Sequence, residues 1–275
     1  MTSQQDKAKL FHALHQTDPV LVLANAWDVA SARVVEAAGA AAIATTSAGV
    51  AWSLGYPDGD ALDVDRAVDL IARVVAAVNV PVTADIESGY ADDPRGVAHT
   101  IARVLEAGAV GVNLEDAHHG GPAPLRPTAE QAERLAAART AAVQVGVDLY
   151  INARIDTYLR SVGEPADRLQ ATLDRASAYL EAGASGIFVP GITEQATVAK
   201  LVEGIAAPLN LLVGPGAPSV PALGKLGVSR VSAGSSIAAA AYAVAQRAAV
   251  EMATTGGYTA ITEELDYGTL NALLS

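Results

Sequence analysis

LEAGAVGVNLED (residues 105–116) decides the fold. Its first residues close a helical run, Gly108 stands where a helix C-cap wants glycine, and AVGVNL is a short apolar strand ending on two acids, Glu115 and Asp116. The same order of signals returns in VEAAGAAAIATT (35–46), LEAGASGIFVPG (180–191) and GKLGVSRVSAG (224–234). Between these lie four further apolar runs: DPVLVLAN (18–25), VPVTAD (80–85), VDLYINAR (147–154) and APLNLLVG (207–214). Three of them carry a proline near their first residue, where a missing N–H is tolerated.

Interleaved in chain order, the two sets give eight strands separated by helical stretches such as DVDRAVDLIARVVAAV (63–78) and TAEQAERLAAARTAAVQ (128–144). Eight alternations of strand and helix predict an α/β fold of the (β/α)8 TIM-barrel type. The rival, a doubly wound open sheet, would show a Gly-rich phosphate fingerprint after its first strand, and that place holds ANAWDVASA (24–32) instead. We expect one barrel domain over residues 1–275, with a C-terminal helical extension from about Thr254 used in oligomerisation.

Composition narrows the function. The chain is 51% hydrophobic and 17% charged, enough for a large core, and its net charge of −12 argues against nucleic acid or an anionic membrane as partner. There is no cysteine, hence no disulfide, thiolate metal site or Cys nucleophile. The first residues lack the apolar core of a signal peptide and no stretch reads as a membrane span, so the expected location is the cytoplasm.

Barrels of this class do their chemistry at the C-terminal ends of the strands. The polar residues there are Asn25 and Asp28 after the first strand, Thr45, Thr46, Ser47 and then Asp58 after the second, and Asp85 and Glu87 at the third. The fourth gives Asn113, Glu115 and Asp116, the fifth Asn152, Arg154 and Asp156, and the eighth Ser232 and Ser235. If the third strand runs on through Glu87, Asp85 and Glu87 face one side, an arrangement that needs a compensating cation or proton. Acids converging from the second to the fourth strand suggest a hard divalent cation such as Mg²⁺. Arg154 and the TTSAG turn (45–49) would then take a carboxylate or oxyanion.

In order and spacing, LANAWDVASARVVEAAG (23–39), TTSAGVAWSLGYPD (45–58), TADIESGY (83–90), GVNLEDA (111–117), INARIDTYL (151–159) and GIFVPGITE (186–194) resemble the isocitrate lyase and phosphoenolpyruvate mutase superfamily. The resemblance runs from about Asp18 to Val250. It implies a Mg²⁺-dependent enzyme, with Mn²⁺ as the alternative ion, acting on a small 2-oxo or dicarboxylic acid of oxaloacetate, 2-oxoglutarate or pyruvate size through an enolate-like intermediate. Carried over by position, Asp85 would be the direct metal ligand, and Asp58, Glu87 and Glu115 would hold the metal's waters. Thr46, Ser47 and Ala48 would bind the substrate carboxylate largely through backbone N–H groups, with Asp85 beside it and Arg154 bridging the reacting oxygens. It also implies a homo-oligomer, a tetramer that exchanges C-terminal helices.

Three departures qualify the match. The lyase branch carries a Cys-bearing loop after the fourth strand, whereas EDAHHGGPAPLRP (115–127) has none, which points away from ordinary isocitrate or methylisocitrate cleavage. The mutase branch has a Trp where Ala44 stands, which points away from phosphonate chemistry. Glu87 replaces the usual Asp. His118 and His119 either supply the missing acid/base or form a solvated pair on a mobile lid. The expected activity is carbon–carbon lyase or decarboxylase chemistry, the alternatives being a phosphoenolpyruvate or carboxyphosphonoenolpyruvate mutase and a keto-acid-binding protein with reduced turnover.

Overall fold

A computed structural model describes residues 2–275. Its parallel sheet has nine segments, the first two of which, Leu21–Leu23 and Asn25–Ala26, are halves of one strand interrupted at Ala24. The other strands are Ile43–Thr45, Val82–Asp85, Gly111–Glu115, Tyr150–Arg154, Gly186–Val189, Leu209–Leu212 and Arg230–Ser232, second to eighth in the barrel. Leu21–Leu23 pairs with the eighth strand and Asn25–Ala26 with the second, so the split strand closes the ring. Asn25 reinforces the closure: its Nδ2 donates to the Thr45 carbonyl (2.9 Å) and its Oδ1 accepts from the Gly234 N–H (2.8 Å). Each of the eight expected stretches contains one barrel strand.

The strands carry near-continuous apolar runs because helices cover the sheet. Ile101, Val104 and Leu105 on the helix Pro94–Glu106, and Leu135, Ala138 and Ala142 on Thr128–Val145, are buried against Val112, Leu114 and Ile151 of the strands. Asp93 caps the first of these helices by accepting from the Gly96 N–H (2.7 Å), with Pro94 in the first turn, where its missing N–H costs nothing. The helix Gln4–Leu14 covers the opposite mouth, burying Ala8 and Phe11 with Leu21, Leu23, Val110 and Tyr150 at the N-terminal ends of the strands.

The C-terminal part departs from a plain barrel. The helix Ser236–Thr254 buries only Ala238 and leaves Ile237, Tyr242, Val244, Val250 and Met252 exposed. Val22, on the first strand, is 49% exposed, in a groove of about 520 Å³ that Leu14, Val20, Val34, Val35 and Ala38 also line. The last helix, Tyr267–Leu274, returns to the chain's own helix Val29–Ala37, where Arg33 Nε donates to the Leu273 carbonyl (2.6 Å). No helix of the described residues is long and apolar enough to cross a membrane.

Candidate active site

A cavity of about 210 Å³ opens at the C-terminal ends of the strands. Asn25, Thr46, Ser47, Ala48, Asp58, Asp85, Asn113 and Arg154 line one side, Leu159, Phe188, Pro190 and Leu212 form an apolar wall, and Ser232, Ser235 and Ser236 complete it. The turn after the second strand enters the helix Ser47–Ser53 beneath this cavity. Glycine is required at position 49, since a Cβ there would lie 2.7 Å from Thr46 Cγ2 and 2.9 Å from Trp27 Cβ. Gly191 has φ +87°, and a Cβ would meet the Leu159 backbone at 2.6 Å, so this glycine lets the loop bearing Leu159 close on the sixth strand.

Asp85 ends the third strand inside the cavity. Its Oδ2 accepts from the Ser47 N–H (3.2 Å) and hydroxyl (3.0 Å), while its Oδ1 is buried and has no partner. Burial pushes the Asp85 carboxyl up from its ordinary pKa, and Arg154 and Ser47 pull it only part of the way back. A buried acceptor without a donor is costly, and a hard cation is the natural partner for one.

Arg154 is held from two sides. Nε and Nη2 make a bidentate pair with Asp156 (2.6 and 2.8 Å), and Nη1 meets Glu115 Oε2 at 2.5 Å. Burial alone would favour the neutral guanidine, but Glu115 and Asp156 hold it protonated. With three of its five N–H groups committed, two remain for a ligand in the cavity.

The other expected acids fall into two groups. Asp58 reaches the cavity, but Glu115 and Glu87 are spent on protein partners. Glu115 meets Arg154 through Oε2 and His119 Nε2 through Oε1 (2.8 Å). The strand stops at Asp85, Ile86 turns into the core, and Glu87 has φ +51°, so the expectation that both acids face one side is corrected. Glu87 Oε2 accepts from the N–H groups of Gly59 (2.9 Å) and Asp60, and Tyr90 approaches its Oε1. Burial pushes Glu87 up to about 8, against the pull of the Asp60 N–H. Among the described residues no three acid or histidine side chains are gathered as a ready-made metal cage.

Three other expectations need adjustment. The Thr46 N–H donates to the Ala26 carbonyl (3.0 Å) and the Ser47 N–H to Asp85, so neither is free for a substrate, which leaves Ala48 as the backbone donor of the expected three. His119 sits outside the cavity, tied to Glu115 and 3.3 Å from Arg160, and Glu115 raises its pKa. His118 packs against Gly121 in the hairpin that Ala117 and Leu125 close, so neither histidine lines the cavity. Asp116 is structural: it accepts from the Asp156 N–H (2.9 Å), Arg175 (2.9 Å) and the Tyr179 hydroxyl (2.9 Å). Asp28 caps the helix Val29–Ala37 in a capping box with Ser31.

The family model described as phosphoenolpyruvate phosphomutase matches residues 11–253. The chain belongs to the isocitrate lyase/phosphoenolpyruvate mutase superfamily. An uncharacterized protein of Mycobacterium tuberculosis is 40% identical over 82% of this chain and 81% of its own length. The 2-methylisocitrate lyase of Escherichia coli is 28% identical over 75% of this chain and 70% of its own. A crystal structure from Burkholderia cenocepacia, provisionally described as a lyase/mutase, superposes with a TM-score of 0.91 at 38% identity, covering 98% of this chain and 95% of that one.

Within this superfamily member, the residues that sequence reasoning missed are mostly apolar. Leu159, Phe188 and Leu212 form the cavity wall, and their types read as ordinary core. Phe188 was findable, because it precedes Val189 and Pro190 at a strand end where chemistry was expected.

Proposed function

We propose that this superfamily member is a Mg²⁺-dependent enzyme that cleaves a carbon–carbon bond of a small 2-oxo carboxylic acid through an enolate-like intermediate. The observation that carries the reading is the buried, partnerless Asp85 Oδ1 in the same cavity as Arg154. Asp85 would hold the ion directly and Asp58 through water, in keeping with the preference of Mg²⁺ for one or two carboxylates and several waters. A bound Mg²⁺ would supply Lewis acidity at the keto oxygen. Mn²⁺ has similar ligand preferences and would substitute.

The lining favours one class of cleavage. No Cys, His, Lys or Tyr faces the cavity and its two carboxylates, Asp58 and Asp85, are assigned to the metal, so little is available to remove a proton from a substrate hydroxyl. Decarboxylation needs no such base: the bond between C3 and its carboxylate breaks, its electron pair becomes the C2–C3 double bond, and the keto oxygen becomes an enolate beside the two free Arg154 N–H groups. Once CO2 has left, a single water entering the cavity would return a proton to C3. The Ala48 N–H group would orient the C1 carboxylate, and Phe188, Leu159 and Leu212 would keep bulk water from the enolate. The test is release of CO2 and of the shortened 2-oxo acid from 3-carboxy-2-oxo acids, compared with and without chelator. Metal-dependent binding of the same acids without turnover would support a binding protein instead, and phosphonate formation a mutase.

We further propose that the chain assembles with copies of itself, as a tetramer. The exposed apolar side chains of Ser236–Thr254 and the open groove beside Val22 are complementary in chemistry, and a second copy's helix is the occupant we assign to that groove.

A further inference from the structure

The carboxylate of Glu87 does not point where Asp85 points. Its Oε2 receives two consecutive backbone N–H groups, Gly59 (2.9 Å) and Asp60, and its Oε1 faces the Tyr90 hydroxyl (3.4 Å). Asp60 returns the contact, accepting from the Ser88 N–H (3.2 Å) and hydroxyl. Two loops are thus fastened by two carboxylates pointing in opposite directions, and Asp58, the neighbour of Gly59, is delivered to the cavity. Glu87 and Asp60 both sit at positive φ (+51° and +59°), a conformation that persists where surrounding contacts over-determine it.

We propose that Glu87 is a positioning residue: it latches the 58–60 loop to the exit of the third strand and holds Asp58 in the cavity, acting on the metal through that loop. The proposal deepens the metal reading above and rests on it for the part that concerns Asp58. Length of the arm is then what matters at position 87. An aspartate is one methylene shorter and falls short of the loop, whereas a glutamine keeps an oxygen that accepts from the same two N–H groups.

The experiment compares Glu87→Gln, Glu87→Asp and Ser88→Ala with wild type by Mg²⁺ calorimetry and by hydrogen–deuterium exchange of the Gly59 and Asp60 amides. In Glu87→Asp those amides should exchange faster and Mg²⁺ affinity should fall about 10- to 100-fold, the range typical for loss of a supporting partner. Glu87→Gln should keep both amides protected and stay within about threefold of wild type, since the supporting contact is retained. Ser88→Ala should loosen the same amides, which keeps the latch testable if Glu87→Asp does not fold. The proposal is overturned if Glu87→Asp binds Mg²⁺ as wild type does, if its amides stay protected, or if Glu87→Gln loses Mg²⁺ with its amides still protected. If wild type binds no Mg²⁺, the metal reading fails, and amide exchange alone still decides the latch.

Discussion

Ser47 and Asp85 meet twice: the backbone N–H and the hydroxyl of Ser47 both donate to Asp85 Oδ2, at 3.2 and 3.0 Å, and Oδ1 is left buried without a partner. One oxygen is therefore fixed by the turn after the second strand, while the other, on a side chain that lines the cavity, is left without a donor. Such a carboxylate is oriented before any ligand arrives, and it carries a desolvation cost that only a proton or a cation relieves.

That cost gives the first prediction. Asp85→Asn removes a buried acid whose pKa burial raises, so thermal stability at pH 8 should be unchanged or higher, while Mg²⁺ affinity is lost. Thermal melting and calorimetry on the same preparation check both halves. Loss of stability together with retained Mg²⁺ binding would mean that Asp85 serves the fold alone.

Arg154 has a structural share, its ion pairs with Glu115 and Asp156, and a proposed chemical one, and two substitutions separate them. Arg154→Ala leaves buried Glu115 with only His119 and buried Asp156 with only Arg160 (3.3 Å) as cationic partners, and breaking a buried pair from one side costs about 3–5 kcal/mol. Arg154→Lys keeps the charge but cannot reproduce the bidentate contact with Asp156, so turnover should fall roughly 100- to 1,000-fold with a smaller effect on Mg²⁺ affinity. Denaturant melts of the first and steady-state kinetics of the second check the two shares. Equal rates for wild type and Arg154→Lys would make Arg154 a purely structural partner of the acids.

His15 sets a pH dependence far from the cavity. It stacks on Tyr150 (3.8 Å between ring centroids), Nδ1 bonds to the Phe11 carbonyl (2.7 Å), and burial followed by the nearby Arg230 charge lowers its pKa to about 3. A folded-state pKa below the unfolded value of about 6.5 means that the unfolded chain takes up the proton first, so stability present above pH 6.5 is lost as pH falls toward 3. The slope is about 1.4 kcal/mol per pH unit. Urea melts of wild type and His15→Leu at two acidic pH values should show the gap closing in the variant's favour by about that amount per unit. A gap independent of pH would contradict the assignment.

Much of this was legible in the sequence. The eight strands announced themselves because each buried run sits behind a helix-ending glycine or a proline, and the chain-order list of strand ends contained Asn25, Thr46, Ser47, Asp58, Asp85, Asn113 and Arg154, all of which line the cavity. What stayed hidden was direction. Alternation predicts a side chain's face only while the strand lasts, and the left-handed turn at Glu87 re-aims that acid onto the 58–60 loop. Glu115 and Asp116 were equally plausible cavity residues by spacing, yet one is taken by Arg154 and His119 and the other by Arg175 and Tyr179, partners that, His119 apart, lie tens of residues away. The return of Tyr267–Leu274 to the chain's own helix Val29–Ala37 also left no pattern in the sequence, because an apolar tail looks the same whichever surface it covers.

The proposed assembly rests on two exposed apolar surfaces. Light scattering should give a mass of four chains, and Tyr242→Asp with Val244→Asp on the exposed helix should shift it toward smaller species while leaving the barrel's far-ultraviolet spectrum unchanged. A monomer mass for wild type would refute it.

The central claim is that Asp85 Oδ1 and Arg154 define a metal-assisted site for a small 2-oxo acid, and calorimetric titration with oxalate tests it most directly. Oxalate is a stable dianion that presents two adjacent oxygens as an enolised 2-oxo acid does. Wild type should bind oxalate with Mg²⁺ and lose that binding in chelator, and Asp85→Asn should bind it in neither condition. Equal binding with and without Mg²⁺, or undiminished Mg²⁺-dependent binding by Asp85→Asn, would contradict the account.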